Sequence, residues 1–337
     1  MANLDNSETN PTLSSRFAFV LNQIEVDAKN LPFELAPGCY LSLASEEQIA
    51  WFRQNILRLT GERNFSHSFY FEKGKRKIIG STDLEIIDLP KSEWRYYSIN
   101  VPIDFFRLED IQMASKACNV PLEICGLSHE PNGGTSTKEW VLGNIFSPLN
   151  EFHPKNVSIQ ELKLIAENYT LLVNSNTYPF VREAFVMFDQ LNTLPKISRL
   201  NVVGLFAVIE MLVTHKQQNN NRNDSISRQI KDRMTELSKI IGLNLTLPAQ
   251  LKLLKPSKRW DALYDYRSAV AHGDDRKISV NADDTNEYLK AVIQSILRDA
   301  LRNPKRYEEF RTKLSGTIAG KSTGGRRTYP RKNKPFN

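Results

Sequence analysis

The chain has 337 residues, of which 40% are hydrophobic and 25% are charged, a composition typical of ordinary globular proteins rather than collagen-like, low-complexity or membrane-embedded chains. The length suffices for two domains. Its polar start lacks the pattern of a signal peptide, and no apolar run is long enough to cross a membrane. The three cysteines, Cys39, Cys118 and Cys125, cannot all pair and lack metal-ligand spacing, so we expect a cytoplasmic protein without a membrane partner.

The net charge of +7 is concentrated at the C-terminal end. Residues 315–337 contain no acid, so the rest of the chain is nearly neutral. We predict disorder for residues 1–14 and a basic flexible tail over 315–337, suited to phosphate backbones or acidic partners. A merely solubilising extension explains this composition equally well. The basic residues of the tail are Lys321, Arg326, Arg327, Arg331, Lys332 and Lys334.

Residues 15–150 alternate between strand and helix patterns and are predicted to form an α+β domain. Ser45 and Gln48 have the spacing of a capping box that opens a helix. Glycine and polar residues predict a hairpin turn at 72–75 and a loop at 128–137. The domain lacks phosphate-loop, dinucleotide and zinc-protease signatures, so a sensor or regulatory task is expected. Strands are predicted at 16–25, 33–43 with a break at Pro37, 65–71, 76–87 and 94–101, and a second helix at 108–117.

In residues 151–314 the apolar residues recur at the spacing of an α-helix. This region is predicted to form an all-α bundle, because five or more helices follow one another without a strand. A second capping box, Ser158 to Glu161, opens the first of them. The predicted helices are 158–173, 178–191, 197–216, 225–241, 260–272, 285–302 and 304–314.

The helix predicted over 260–272 contains the most unusual pattern of the chain. Arg267 lies on its apolar stripe, where a charge is unfavourable unless it is paired or used. His272 lies in the last turn, beside exposed carbonyl groups, and Gly273 ends the helix. The apolar residues that define the stripe are Trp260, Leu263, Tyr264, Val270 and Ala271.

Arg267 and His272 are five positions apart, which in an ideal helix separates their directions by about 140°. They therefore do not share a face of one straight helix. A second copy of the helix, related by a two-fold axis, would bring two such pairs together.

The segment Arg267-Ser-Ala-Val-Ala-His272 resembles the Arg-x(4–6)-His motif of HEPN-domain proteins, and the longer segment 263–273 resembles their Apea-like branch. The helix predicted around 200–213 is similar to the glutamate-bearing helix of that branch. The resemblance covers roughly residues 195–302. Ser268 differs from the Asn, Asp or His that many active HEPN ribonucleases carry after the arginine.

The resemblance implies a HEPN-like helical domain that acts as a metal-independent endoribonuclease without a cofactor. RNA would be cleaved by attack of the ribose 2′-hydroxyl on the adjacent phosphate, in a site shared by a homodimer. His272 would act as general base or acid, and Arg267 would bind the scissile phosphate. Tyr264 and Ser268 would support the site. The family further implies bacterial antiphage defence by abortive infection, with a phage-derived trigger sensed by the N-terminal domain.

Glu210 is a second charge on an apolar stripe, which it shares with Val203, Phe206 and Val213. Pairing with Arg267 would offset the desolvation of both groups, so we predict that ion pair. Further basic residues are candidates for an RNA-binding wall, although ordinary solvated charges explain them as well. These are Arg228, Arg233, Lys252, Lys255, Lys258 and Arg259, with Arg326 and Arg327 in the tail.

Two other functions stay open. Ser268 favours a catalytically silent HEPN module that binds RNA or a nucleotide. Alternatively, the bundle only dimerises, as an interaction protein, while the N-terminal domain does the work. In both cases Arg267 would be a buried ion-pair partner and His272 a helix cap.

Overall fold

The structure is a computed structural model. It describes residues 16–60, 70–78, 84–102, 104, 107–130, 135–137, 154–174, 178–191, 194, 198–215, 225–242, 245–274 and 281–312.

The N-terminal half is built around a six-stranded antiparallel sheet in the order β3-β4-β7-β1-β8-β9. The strands β2 and β10 form a parallel pair, and β5 and β6 form a separate hairpin. The strands are β1 Arg16–Val20, β2 Ile24–Glu25, β3 Phe33–Ala36, β4 Cys39–Leu43, β5 Lys73–Lys77, β6 Leu84–Asp88, β7 Tyr97–Val101, β8 Ile124–His129, β9 Thr135–Thr137 and β10 Lys155–Asn156, and the helices of this half are α1 Glu46–Thr60 and α2 Leu108–Lys116.

Both faces of the sheet are covered, as alternation along the central strand β1 requires. Phe17 and Phe19 point to one face and pack in a cluster with Phe52 of α1. Ala18 and Val20 point to the other face, into the larger core that includes residues of α2. The α+β architecture predicted for this half is thus confirmed.

The two predicted capping boxes are confirmed. Gln48 N–H donates to Ser45 Oγ at 3.2 Å, while Ser45 N–H donates to Gln48 Oε1 at 3.0 Å. The second box joins Ser158 and Glu161 in the same reciprocal way, with distances of 3.1 and 3.3 Å. Each box satisfies backbone donors that a helix start leaves free, which fixes where α1 and the first helix of the second half begin.

Several predictions for the first half were wrong. The strands predicted at 16–25 and 76–87 are not continuous, because the first range is divided between β1 and β2 and the second between β5 and β6. Residues 73–75 are not a turn, because Lys73–Lys77 form strand β5 and pair with β6 along their whole length. Residues 128–137 are not entirely a loop, since Ser128 and His129 belong to β8 and pair with β9. Strand β5 pairs with residues outside the predicted turn, whereas β8 pairs with β9 inside the predicted loop. Local turn-forming residues reveal neither pairing. The strand predicted at 65–71 lies mostly outside the described residues.

The second half follows the predicted order of helices, and from residue 157 to 312 the described part contains no strand. The motif helix begins earlier than predicted, at Pro256, because proline suits the first helical position. A short helix at 249–252 was not predicted. The helices are α3 Ile159–Val173, α4 Pro179–Leu191, α5 Leu200–Val213, α6 Ile226–Ile240, α7 Ala249–Lys252, α8 Pro256–His272, α9 Ala282–Arg302 and α10 Pro304–Thr312.

Helix α5 is the central element of this half, since α4, α6, α8, α9 and α10 all pack against it. Leu205, Phe206 and Ile209 are completely buried. Gly204 permits the close approach of α4, because a Cβ atom there would lie 2.2 Å from Leu191 Cδ2. A nearly all-round apolar helix is expected in such a central position.

One hydrophobic cluster runs from the sheet through α2 and α3 into the helices of the second half. The domain boundary between 15–150 and 151–314 stays a prediction, and the described residues on its two sides share this core. The predictions of disorder for 1–14 and 315–337 lie outside the described residues. Within the described part, no helix combines the length and the apolar character that crossing a membrane requires.

Candidate active site

The second half of α8 lies against α5 and joins it through the ion pair predicted from the sequence. Arg267 Nη2 is 3.3 Å from Glu210 Oε1, and the two side chains are 24% and 23% exposed. The predicted pairing is therefore confirmed. Because both groups come from apolar stripes of neighbouring helices, each offsets part of the desolvation of the other.

The pair is incompletely satisfied. Glu210 Oε1 and Arg267 Nε are both buried atoms for which the described structure gives no hydrogen-bond partner. Burial raises the pKa of Glu210, and the positive charge of Arg267 only partly counteracts that rise. A partly exposed guanidinium beside a destabilised carboxylate can bind a stronger anionic partner, such as a phosphate.

Tyr264 lies one turn before Arg267 on the same side of α8, and Ser268 follows Arg267 directly in the chain. The guanidinium carbon of Arg267 is 5.8 Å from the centre of the Tyr264 ring. That ring packs edge-on against Phe206 of α5, with ring centres 5.9 Å apart. Ser268 is partly exposed beside the arginine. The structure thus brings Tyr264, Ser268 and Glu210 together around Arg267.

The buried face of α8 differs from the predicted stripe. Ala271 is exposed, whereas Tyr266 and Ala269 are buried. The reason is that α8 packs against both α5 and α6, so its buried face is turned toward the groove between them. Arg267 consequently lies at the edge of the buried face, where its guanidinium is partly accessible.

His272 is the last residue of α8 and is exposed. Gly273 has a φ of 68°, and its N–H bonds back to the carbonyls of Ala269 and Val270, so the helix ends as predicted. Among the described residues, no recorded hydrogen bond or ion pair involves the imidazole. Five residues of ideal helix separate the backbone of His272 from that of Arg267 by about 7.5 Å and about 140°. One chain alone therefore does not present both side chains on one face.

A partly exposed stripe of α5 adjoins these residues. The sequence analysis placed Val203 and Glu210 on a buried stripe and missed both Ala207 and the partial exposure. Val203, Ala207 and Glu210 recur at helical spacing on the side of α5 that meets Arg267. The signal was present as small and apolar residues every three or four positions. We call the combined region the α5–α8 surface, consisting of Val203, Ala207, Glu210, Tyr264, Arg267 and Ser268.

Two of the predicted RNA-binding residues, Lys258 and Arg259, do not lie near this surface in one chain. Lys258 pairs with Asp261 at 3.1 Å, and Arg259 Nε donates to the Leu251 carbonyl at 3.2 Å. Both occupy the start of α8, on the order of 12 Å or more along the helix axis from Arg267. Arg326 and Arg327 lie outside the described residues.

Arg233 was wrongly included in the proposed basic wall. It is 5% exposed and its guanidinium lies 4.7 Å from the centre of the Phe310 ring, so it belongs to the core. Arg228, by contrast, is exposed on α6 and lies 3.8 Å from Asp232.

In the part of the chain that the structure describes, no group of three or more His, Cys, Asp or Glu side chains is arranged to hold a metal ion. Cys39, Cys118 and Cys125 are buried and form no disulfide. Burial raises the pKa of the first two to about 12, which disfavours the reactive thiolate.

Comparisons with protein-family models, with curated proteins and with solved structures found no match to this chain. The features of the chain that bear on its function are therefore the α5–α8 surface and the motif from Arg267 to His272 in α8.

Proposed function

We propose that the protein is a metal-independent endoribonuclease of HEPN type that acts as a homodimer. The observation that carries this proposal is the position of Arg267, whose side chain is one quarter exposed and pairs with Glu210 at the edge of the core, on the helix that ends at the exposed His272. Such an arginine is well suited to bind a phosphate group, because guanidinium donors match phosphate oxygens in geometry and charge.

In the proposed reaction, the 2′-oxygen of a ribose attacks the adjacent phosphorus and the bond from phosphorus to the 5′-oxygen breaks. The products are a 2′,3′-cyclic phosphate and a 5′-hydroxyl. One His272 imidazole takes the proton of the 2′-hydroxyl, and an imidazolium gives a proton to the leaving 5′-oxygen. Arg267 binds the phosphate and stabilises its additional negative charge in the transition state.

The proposed dimer supplies what one chain lacks. Arg267 and His272 diverge on their own helix, so a two-fold copy docked on the α5–α8 surface would complete the cleft with its own pair. The small and apolar residues Val203 and Ala207 suit such close packing. Glu210 would then orient Arg267 until a phosphate replaces it as the partner.

We further propose that the sheet-bearing N-terminal half responds to a phage-derived trigger and that RNA cleavage serves antiphage defence by abortive infection. This part of the proposal comes from the resemblance of residues 195–302 to the HEPN family. It concerns the purpose of the reaction and is independent of its chemistry.

The test is RNA cleavage by the purified full chain in the presence of EDTA, comparing wild type with Arg267→Ala and His272→Ala. Arg302→Ala, which removes an exposed arginine at the end of α9, outside the predicted RNA-binding residues, is the matched control. We expect 2′,3′-cyclic phosphate ends from wild type and control. The losses should be about 10²–10³-fold for Arg267→Ala and about 10²–10⁴-fold for His272→Ala.

A mixture of the two inactive variants sharpens the test. If the cleft combines residues of two chains, mixed dimers contain one intact arginine and one intact histidine, and part of the activity should return. Cleavage that survives both substitutions would contradict the proposal. RNA binding without cleavage by every variant, also during phage infection of expressing cells, would favour the silent binding module, and neither binding nor cleavage would favour the interaction protein.

A further inference from the structure

The molecule has a second surface feature, a groove that lies outside the α5–α8 surface. It is a cavity of about 490 Å³ between the extended segment 245–248, together with the first residue of α7, and the outer face of α9. Asp284, Glu287, Tyr288 and Ala291 line it at spacings of three and four residues, so they form one stripe of the helix. We call this region the α9 groove.

The two walls of the α9 groove differ in chemistry. The segment 245–248 contributes Leu245, Leu247 and Pro248, an apolar wall. On the α9 side, Asp284 and Glu287 are exposed, and the structure records no ion pair for either of them among the described residues. The nearby Arg259, whose charge acts on Tyr288, is held by the Leu251 carbonyl instead. The groove therefore suits an extended segment that combines cations with an apolar or aromatic group.

The chain itself contains such a segment in Arg326-Arg327-Thr-Tyr-Pro-Arg-Lys332, where two pairs of cations flank Tyr329 and Pro330. The segment contains no acid, so its charge complements the groove. The residue before a proline favours an extended backbone, which matches a groove bordered by an extended segment.

The connection is long enough. The last described residue is Thr312, at the end of α10, and fourteen residues lead from it to Arg326. Fourteen extended residues span up to about 46 Å. Helix α9 measures about 30 Å from end to end, and α10 packs against it, since the Tyr307 hydroxyl donates to the Ile296 carbonyl at 3.3 Å. The segment can therefore reach any point along α9.

We propose that the α9 groove binds residues 326–332 of the chain's own tail. The carboxylates of Asp284 and Glu287 pair with the flanking cations, and Tyr329 packs against the apolar wall. The docked tail withholds its cations from RNA and other acidic partners. The docking itself does not depend on ribonuclease activity, so it can be tested independently of the proposed function.

Limited trypsin digestion of the full chain at low salt tests the proposal, with initial cleavage rates at each bond followed by mass spectrometry. Docking should protect the bonds after Arg326 and Arg327, while the bond after Lys321 lies outside the docked segment and serves as an internal reference. We expect the double substitution Asp284→Asn with Glu287→Gln to accelerate cleavage after Arg326 and Arg327, relative to Lys321, by about tenfold. Salt at 0.5 M should have the same effect on wild type, because it screens the ion pairs.

The matched control is Glu46→Gln with Glu47→Gln, which removes two exposed acids from the first turn of α1 and changes the net charge equally. Its cleavage pattern should equal that of wild type. Equal relative rates in wild type and the groove variant would overturn the proposal. Equal acceleration in the groove variant and the control would also overturn it, because the effect would then reflect net charge alone.

Discussion

Two of the places where the described structure takes charged groups out of water differ in how completely those charges are partnered. At the junction of α2 and α4, Lys116 is 1% exposed. Its ammonium lies 2.5 Å from Glu123 and 3.4 Å from Asp189. Asp189 also accepts from Gln112 Nε2 at 3.1 and 3.2 Å. The cation is thus surrounded by partners that come from different elements.

At the α5–α8 surface, Arg267 has Glu210 as its single recorded ion-pair partner at 3.3 Å, and buried polar atoms of both residues lack hydrogen bonds. A fully partnered buried cation stabilises the junction of elements in which it lies, whereas an incompletely partnered one keeps donors available for a ligand. We therefore infer that Lys116 stabilises the fold and that Arg267 is the better candidate for binding a ligand.

The largest effect we predict follows directly from this contrast. Lys116→Met keeps the aliphatic stem but leaves Glu123 and Asp189 without their cation, and should lower the free energy of unfolding by about 3–5 kcal/mol. Arg267→Met leaves one carboxylate without its partner and should lower the free energy of unfolding by less, about 1–3 kcal/mol. Urea denaturation at pH 7, followed by circular dichroism, measures both values.

The slope of the denaturation curve against urea serves as the control, since it should stay unchanged if both variants unfold as wild type does. A larger loss for Arg267→Met than for Lys116→Met would reverse the comparison and make Arg267 the structural residue.

The sequence predicts features that depend on local interactions far better than those that depend on distant partners. The capping box of Ser158 and Glu161 lies within four residues, and helix α3 begins where it indicates. The turn predicted at 72–75 failed because the pairing of Lys73 with Asp88 across the hairpin decides the structure there. Which residues of α8 are buried likewise depends on two neighbouring helices at once.

The ion pair of the candidate site could be predicted because charges on apolar stripes are costly and must find each other. What the sequence did not show is that the pair lies at the edge of the core and remains one quarter exposed. The α9 groove also escaped prediction, since its two walls come from segments about 40 residues apart whose approach has no local signal.

A second, smaller effect concerns the dependence of stability on pH. Burial raises the pKa of Glu210 above its ordinary value of 4.5, so the folded protein holds this proton more tightly than the unfolded chain does. The contribution of Glu210 to stability is then greatest below that ordinary value and decreases as the pH rises through the raised one. Glutamine does not titrate, so Glu210→Gln should gain in stability relative to wild type between pH 4 and pH 7.

Thermal or urea unfolding of both proteins at several pH values in that range measures the difference, and Glu183→Gln, an exposed acid on α4, is the control. The opposite trend, with wild type gaining on Glu210→Gln as the pH rises, would mean that attraction to Arg267 outweighs desolvation. In that case the pair would resemble the Lys116 cluster, and Arg267 would be a structural ion-pair partner rather than a residue available to a ligand.

The smallest effect is expected at His272. Its side chain is exposed at the end of α8, and helix termination is carried by Gly273 in the left-handed conformation. His272→Gln should therefore change the free energy of unfolding by no more than about 0.5 kcal/mol at pH 7. Gly273→Ala, measured beside it, should cost about 1 kcal/mol, because alanine adopts that conformation less readily. If His272 is dispensable for stability but required for RNA cleavage, its role is catalytic. If His272→Gln instead lowers the free energy of unfolding by well more than Gly273→Ala does, His272 acts as a helix cap.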